Sequence, residues 1–362
     1  RAEHEAADDL RLVLEMRNRC GVLVTSRQRK DAVDARQDVA PLPPDEAVAL
    51  LQTWGGLRAA DSNAVAQITA LVGRLPLAVR LVGRYLAQNE ESAIDYLHWL
   101  AETPLAALDQ GQRRLDSVPF LLARSLAQVS EQARQVLGVI GLLALAPFTW
   151  ETIGAALILP DGATRRALGE LVNYGLVLRP AETYEVTHAL IHTYARLQLA
   201  PALTVTHQLG TYYVQFVTTN RAEFAQLNHM RPHMMALLQI CCDQEAWQIA
   251  NRLAWALGDY LDLHGYWTDR VTTFEIGLAA ARSLQNRWNE GAHLGNLGNA
   301  YRDLGQVEQA MAYYQQALAI AQDLGDRRNE GAHLGNLGNA YKNLGQVEQA
   351  IGYYQQALAI TQ

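Results

Sequence analysis

The sequence predicts a mainly α-helical chain: a remnant of an α/β domain, a helical bundle, a winged helix, then an α-solenoid. Three observations predict it. Residues 291–322 and 331–362 are near copies offset by 40, with 27 of 32 positions identical. Helical patterns over 117–174 are followed by two short strand-like runs, 176–178 and 184–186. One apolar run, Val22-Leu23-Val24, reads as a buried strand that ends abruptly in Thr25-Ser26-Arg27.

Bulk properties narrow the function classes. A chain of 362 residues exceeds one ordinary core, which implies two to four domains. At 49% hydrophobic and 19% charged residues, its composition is globular. A net charge of -7 argues against a surface coated by nucleic acid. Lys30 and Lys342 are the sole lysines, so 28 of 30 basic residues are Arg; a GC-rich coding sequence explains this most simply. Cys20, Cys241 and Cys242 suggest neither a disulfide framework nor a metal spacing, and a reducing, cytoplasmic setting fits. The longest apolar run, Val136 to Phe148, is too short for a bilayer and contains Gly138, Gly141 and Pro147. It predicts a buried helix and no membrane partner. The chain opens inside a helical pattern and closes inside a repeat, so a piece of a longer protein is expected.

In order, residues 1–40 form the edge of an α/β domain and 41–116 a helical domain. Leu42-Pro43-Pro44-Asp45-Glu46 launches a helix with acids in its first turn. Within 71–87, Gly73 ends one helix and Pro76 starts the next, at the position where its missing N–H does no harm. Residues 117–200 form the winged helix: a helix from Ser130-Glu131 through Leu145, one opened by Thr149-Trp150-Glu151, one from Ala163 to Tyr174, and the hairpin. Six arginines there are balanced by six acids, which disfavours DNA binding; Arg165-Arg166 is the nearest thing to a footprint. His188 and His192 have zinc-like spacing, but Ala189 removes the HExxH motif, and surface or capping histidines are the commoner case.

Residues 201–250 read as a helical linker or degenerate repeat, and 251–362 as repeats at 251–290, 291–330 and 331–362. Each unit is two helices with apolar and small residues at helical spacing, Leu294, Leu297, Gly298 and Tyr301, then Ala310, Tyr314 and Ala317. Gly305 closes the first helix. Such a unit buries its apolar face by stacking on its neighbours.

The repeat resembles the tetratricopeptide repeat, with Leu297, Gly298, Tyr301, Gly305, Ala310, Tyr314 and Ala317 in signature positions. It departs in length, because residues 321–330 replace the usual short turn and lengthen the second helix or the loop. The resemblance implies that first helices line a concave face. Asn296, Asn299, Arg302, Asn336, Asn339 and Lys342 would then offer a polar groove to a protein or peptide. The plainer alternative is that Asn is simply typical of the repeat there.

Taken in order, the Thr-Ser-Arg strand end, "PLPPDEAVALL", "GRLPLA", the winged helix ending "THALIHTYA" and the repeats resemble the STAND class of signalling P-loop ATPases, in its NB-ARC-like branch. That resemblance implies ADP or ATP with Mg²⁺ in the intact protein, a slow ATPase switch, and self-association in the ATP state. By it, Arg27 is the sensor arginine that reads the γ-phosphate. Gly73, Leu75 and Pro76 match the GLPL turn, whose proline packs on adenine. His188 matches the histidine that touches the β-phosphate of ADP. Arg74 stands where the family often has Gly, and Thr187 and Ala189 depart from the Met and Asp that flank the family's histidine. Neither lysine lies in a GxxxxGK[ST] loop. No bound cofactor and no ATP hydrolysis by this chain alone are therefore expected. A tetratricopeptide scaffold without nucleotide function is the alternative, and a winged-helix transcription regulator ranks below it.

Overall fold

In the computed structural model, the described residues are 41–102 and 117–361, and they are mainly helical. The expected strand at 22–24 and Arg27 lie outside them.

The first group is a bundle of α1 (Pro44–Gly55), a 3₁₀ turn (Gly56–Ala59), α2 (Ser62–Leu71), α3 (Pro76–Gln88), α4 (Ala93–Glu102) and α5 (Ser117–Ala127). Pro44 opens α1, with Asp45 and Glu46 in its first turn, where the helix dipole favours negative charge. Asp61 caps α2 by accepting a hydrogen bond from the Ala64 N–H at 2.8 Å. On α3, Leu77, Ala78, Leu81, Val82, Tyr85 and Leu86 recur at helical spacing and are buried. Helices α1 and α3 approach closely at Gly83, where a Cβ would stand 2.6 Å from that of Trp54.

Next come α6 (Glu131–Ile140), α7 (Trp150–Leu157), α8 (Asp161–Asn173) and the strands β1 (Val177–Leu178) and β2 (Glu185–Val186). The strands pair antiparallel, with Val177 opposite Val186. This is the helices-then-hairpin order read from the sequence, and it is called the hairpin domain below. Ser130 caps α6, as expected. However, α6 stops at Ile140 instead of running to Leu145. The backbone at Gly141 lies against Arg196, where a Cβ would be 2.7 Å from the Arg196 nitrogen. The 141–147 loop then turns away and is held by two histidines described below.

Then follow α9 (Ala189–Gln198), α10 (Leu203–Thr219) and α11 (Phe224–Asp243). Six further helices make the solenoid: α12 (Trp247–Leu263), α13 (Trp267–Ser283), α14 (Arg287–Asp303), α15 (Val307–Leu324), α16 (Arg327–Asn343) and α17 (Val347–Thr361). First helices start at 247, 287 and 327, so each unit begins four residues before the boundary read from the sequence. Left-handed backbone recurs every 20 residues, at Glu245, Gly265, Gln285, Gly305, Gly325 and Gly345. Each marks a helix C-terminus. At Gly305, the Gly305 N–H reaches Arg302 O and the Gln306 N–H reaches Tyr301 O, a Schellman closure. The residues that lengthen the repeat went into helix. Helix α15 runs to Leu324, one glycine turns the chain, and Asp326 caps α16. A hydrophobic core extends from Ala47 to Ala280, and a second cluster, from Phe274 to Leu337, fills the repeats.

Candidate functional site

Two places carry the residues singled out in the sequence. The first is the junction between the bundle and the hairpin domain. Helix α2 ends in a Schellman closure, with the Gly73 N–H on Ala70 O and the Arg74 N–H on Thr69 O. Gly73 is buried at φ 71°. Arg74 also adopts left-handed backbone, at φ 55°. That region costs a residue with a Cβ about 1–2 kcal/mol. The Arg74 carbonyl accepts from the Leu42 N–H at 3.0 Å, tying the incoming chain to the turn. Leu75 is half-buried, and Pro76 is exposed at the start of α3.

His188 is the N-cap of α9, and its Nδ1 accepts from the Leu190 N–H at 3.1 Å. Desolvation pushes its pKa down, and the Arg80 guanidinium adds to the effect. Arg80 lies on α3 one turn beyond Pro76, at i+4. His188 is exposed, and the Arg80 guanidinium on α3 is within its electrostatic reach. Thr187 ties the strand end to the hairpin domain by donating to Gly175 O at 2.9 Å. Arg84, one turn further along α3, lies 4.3 Å over the Trp54 ring. Its Cγ is 3.0 Å from where a Cβ on Gly175 would stand. Arg80 and Arg84 were not singled out in the sequence.

The second place is the solenoid. Asn299 and Asn339 each accept from a tyrosine of their own unit, Tyr314 and Tyr354, at 2.8 Å. Their carboxamide oxygens thus join the two helices of a unit. Asn296 and Asn336 are half-buried, and Lys342 is exposed. Arg302 donates to Asp303, which also accepts from Arg270 at 2.9 Å. Arg270 bridges to Asp262 as well. In the next unit Asn343 replaces Asp303, and this carboxylate relay ends. Trp255 and Trp288, partly exposed, stack across neighbouring units with ring centroids 6.1 Å apart.

Two other histidines are structural. His192 Nε2 donates to Leu143 O at 2.8 Å. His233 accepts from the Ala144 N–H through Nδ1 and donates from Nε2 to Pro147 O at 2.8 Å. Together they clamp the 141–147 loop. No cluster of three metal-ligating side chains occurs among the described residues. No described helix is long and apolar enough to cross a membrane. Arg165, half of the DNA-like pair, lies 4.4 Å over the Trp150 ring.

A comparison with curated proteins finds no match. Among solved structures, the chain is similar to the tetratricopeptide-repeat domain of Arabidopsis FLU, at 22% identity and a TM-score of 0.30, over 31% of this chain and 95% of that one. It is also similar to a signal transduction ATPase with numerous domains from Pyrococcus horikoshii that has a tetratricopeptide repeat sensor. That likeness has 15% identity and a TM-score of 0.34, and covers 88% of this chain. The chain spans 60% of the length of that protein. Nearly identical tetratricopeptide-like repeats from Podosopora anserina align at 19% identity and a TM-score of 0.33, over 56% of this chain and 88% of theirs. Residues 289–362 match the tetratricopeptide repeat family, and the C-terminal helices of the chain are such repeats.

Proposed function

We propose that this chain is the regulatory part of a nucleotide-switched signalling protein. Its repeats dock a protein or peptide partner. The bundle and the hairpin domain close on ADP at their junction, through Gly73, Leu75, Pro76 and His188. One observation carries the reading: α3 of the bundle packs on the turn before β1, with Arg84 Cγ 3.0 Å from where a Cβ on Gly175 would stand. In the intact protein, Arg27 reads the γ-phosphate of ATP, Mg²⁺ accompanies the nucleotide, and the ATP state self-associates.

Magnitudes decide how such a switch is driven. One charge-assisted hydrogen bond to phosphate contributes about 1.5–3 kcal/mol. Moving a two-state balance from 1:99 to 99:1 needs about 5.5 kcal/mol of differential affinity. Neither Arg27 nor His188 suffices alone. A partner on the repeats supplies the remainder by binding one state better.

Hydrogen–deuterium exchange on the intact protein, with its phosphate loop present, with and without millimolar ADP, tests this reading. The expected result is slowed exchange in residues 69–80 and 187–192. Unchanged exchange at saturating ADP would reject the nucleotide role. It would leave the tetratricopeptide scaffold.

A further inference from the structure

Helices α7, α10 and α11 leave between them a groove of about 460 Å³ that opens to solvent. Neither the nucleotide reading nor the repeats use it. Short helical patterns build its walls. On α10, Tyr212 and Phe216 stand at i and i+4, so their rings share one face. The two ring centroids are 6.0 Å apart, with planes tilted by 38°. On α11, Gln226, His229 and Met230 fall within one turn and line the same groove. The first turn of α7 brings Glu151 to it.

These walls are tied together. His233, one turn beyond His229 on α11, donates to Pro147 O at 2.8 Å, just ahead of α7. The Phe148 N–H donates to Tyr184 O at 2.9 Å. The start of α7 is thus anchored both to α11 and to the hairpin domain. Sites carried by packed helices are held more precisely than sites on loops.

The chemistry of the lining is lopsided. Two aromatic rings and the Met230 thioether offer apolar surface, Glu151 is the one carboxylate, and no Lys or Arg is present. Among the described residues, Glu151 takes part in no ion pair and no hydrogen bond. A carboxylate beside aromatic rings attracts a cation twice, by its own charge and through the ring quadrupoles. An anion would be repelled by Glu151, and a neutral molecule would gain only from the walls. A volume of this size suits a small molecule with an apolar body.

We propose that this groove binds a small organic cation, an ammonium group on an aromatic or branched aliphatic body. The ammonium lies at Glu151, and the body lies against Tyr212, Phe216 and Met230. The site is independent of the nucleotide reading. Its walls come from the hairpin domain and from the two helices that lead into the repeats, so its ligand ties those parts to each other.

Ligand-observed NMR titration of the full chain, with three probes of one shape, provides the test. Phenethylammonium is expected to bind in the millimolar range. Phenethyl alcohol, which lacks the charge, should bind about fivefold more weakly, and phenylacetate more weakly still. Glu151→Gln should weaken phenethylammonium about fivefold and leave the alcohol unchanged. Glu151 is exposed, so this variant should melt with the wild type. Phe216→Leu should weaken the ammonium and the alcohol together. The proposal is overturned if phenethylammonium does not bind, if the alcohol binds as tightly, or if either variant leaves the ammonium affinity unchanged.

Discussion

The solenoid and the bundle–hairpin junction treat arginine in opposite ways. In the solenoid, Arg270, Arg282, Arg287, Arg302 and Arg327 each meet a carboxylate. Glu290, nearly buried, takes both Arg282 and Arg287, which hold its carboxyl below the usual carboxylate range although burial opposes them. At the junction, the Nε of Arg80 and that of Arg84 have no hydrogen-bond partner among the described residues. The contrast separates arginines anchored by carboxylates from one, Arg84, anchored by the Trp54 ring. Exposed ion pairs contribute little each, so the repeats are held mainly by packing.

The strongest way to challenge this contrast is to remove that packing. Tyr314 is fully buried, fills the space that Gly298 leaves open, and donates to Asn299. Tyr314→Ala should cost about 3–5 kcal/mol in a urea unfolding curve. Tyr354, its partly exposed counterpart on α17, should cost clearly less. Equal losses would mean that neighbour packing does not set repeat stability.

A second challenge uses acid. His293 is fully buried, donates from Nε2 to Asn251 at 2.8 Å, and has no partner on Nδ1. Burial lowers its pKa to about 4. The unfolded chain, with an ordinary value near 6.5, takes up that proton first. Stability from the neutral ring is therefore complete above about pH 6.5 and is lost as pH falls toward 4, by about 3 kcal/mol. Thermal melts across that window should fall steeply in the wild type and less in His293→Gln. Parallel slopes would place the acid sensitivity elsewhere, for example in His333, whose burial lowers its pKa in the same sense.

The smallest effect should be a gain. Gln285 holds left-handed backbone at φ 54°, where the next units place Gly305, Gly325 and Gly345. Gln285→Gly should raise stability by about 0.5–1 kcal/mol, since glycine carries no Cβ penalty there. A loss would mean that the side chain makes a compensating contact.

Much of this was legible in the sequence. The cap at Ser130, the closure at Gly305 and the N-terminal placement of Pro44 and Pro76 all follow from local rules. The early end of α6 does not. It depends on Arg196 lying against Gly141, a contact between residues 55 apart. The four-residue shift of the repeats arose because identity between the copies marks the period and not where a helix begins. Asn299 and Asn339 looked like groove residues, and their engagement by tyrosines appears only in three dimensions. Arg80 and Arg84 left one readable trace, a helix with two arginines and no acid. Without packing, that trace is indistinguishable from an ordinary solvated face.

The even spacing of left-handed turns has a consequence for how this chain can vary. Because turns recur every 20 residues and first helices every 40, one unit can be duplicated or deleted in register. The helix on either side of the edit meets the same neighbour as before. Near-identical coding segments of this kind invite unequal recombination, and its products would fold without compensating changes. The length of the repeat array can then change in whole steps, while the helices before Trp247 stay as they are.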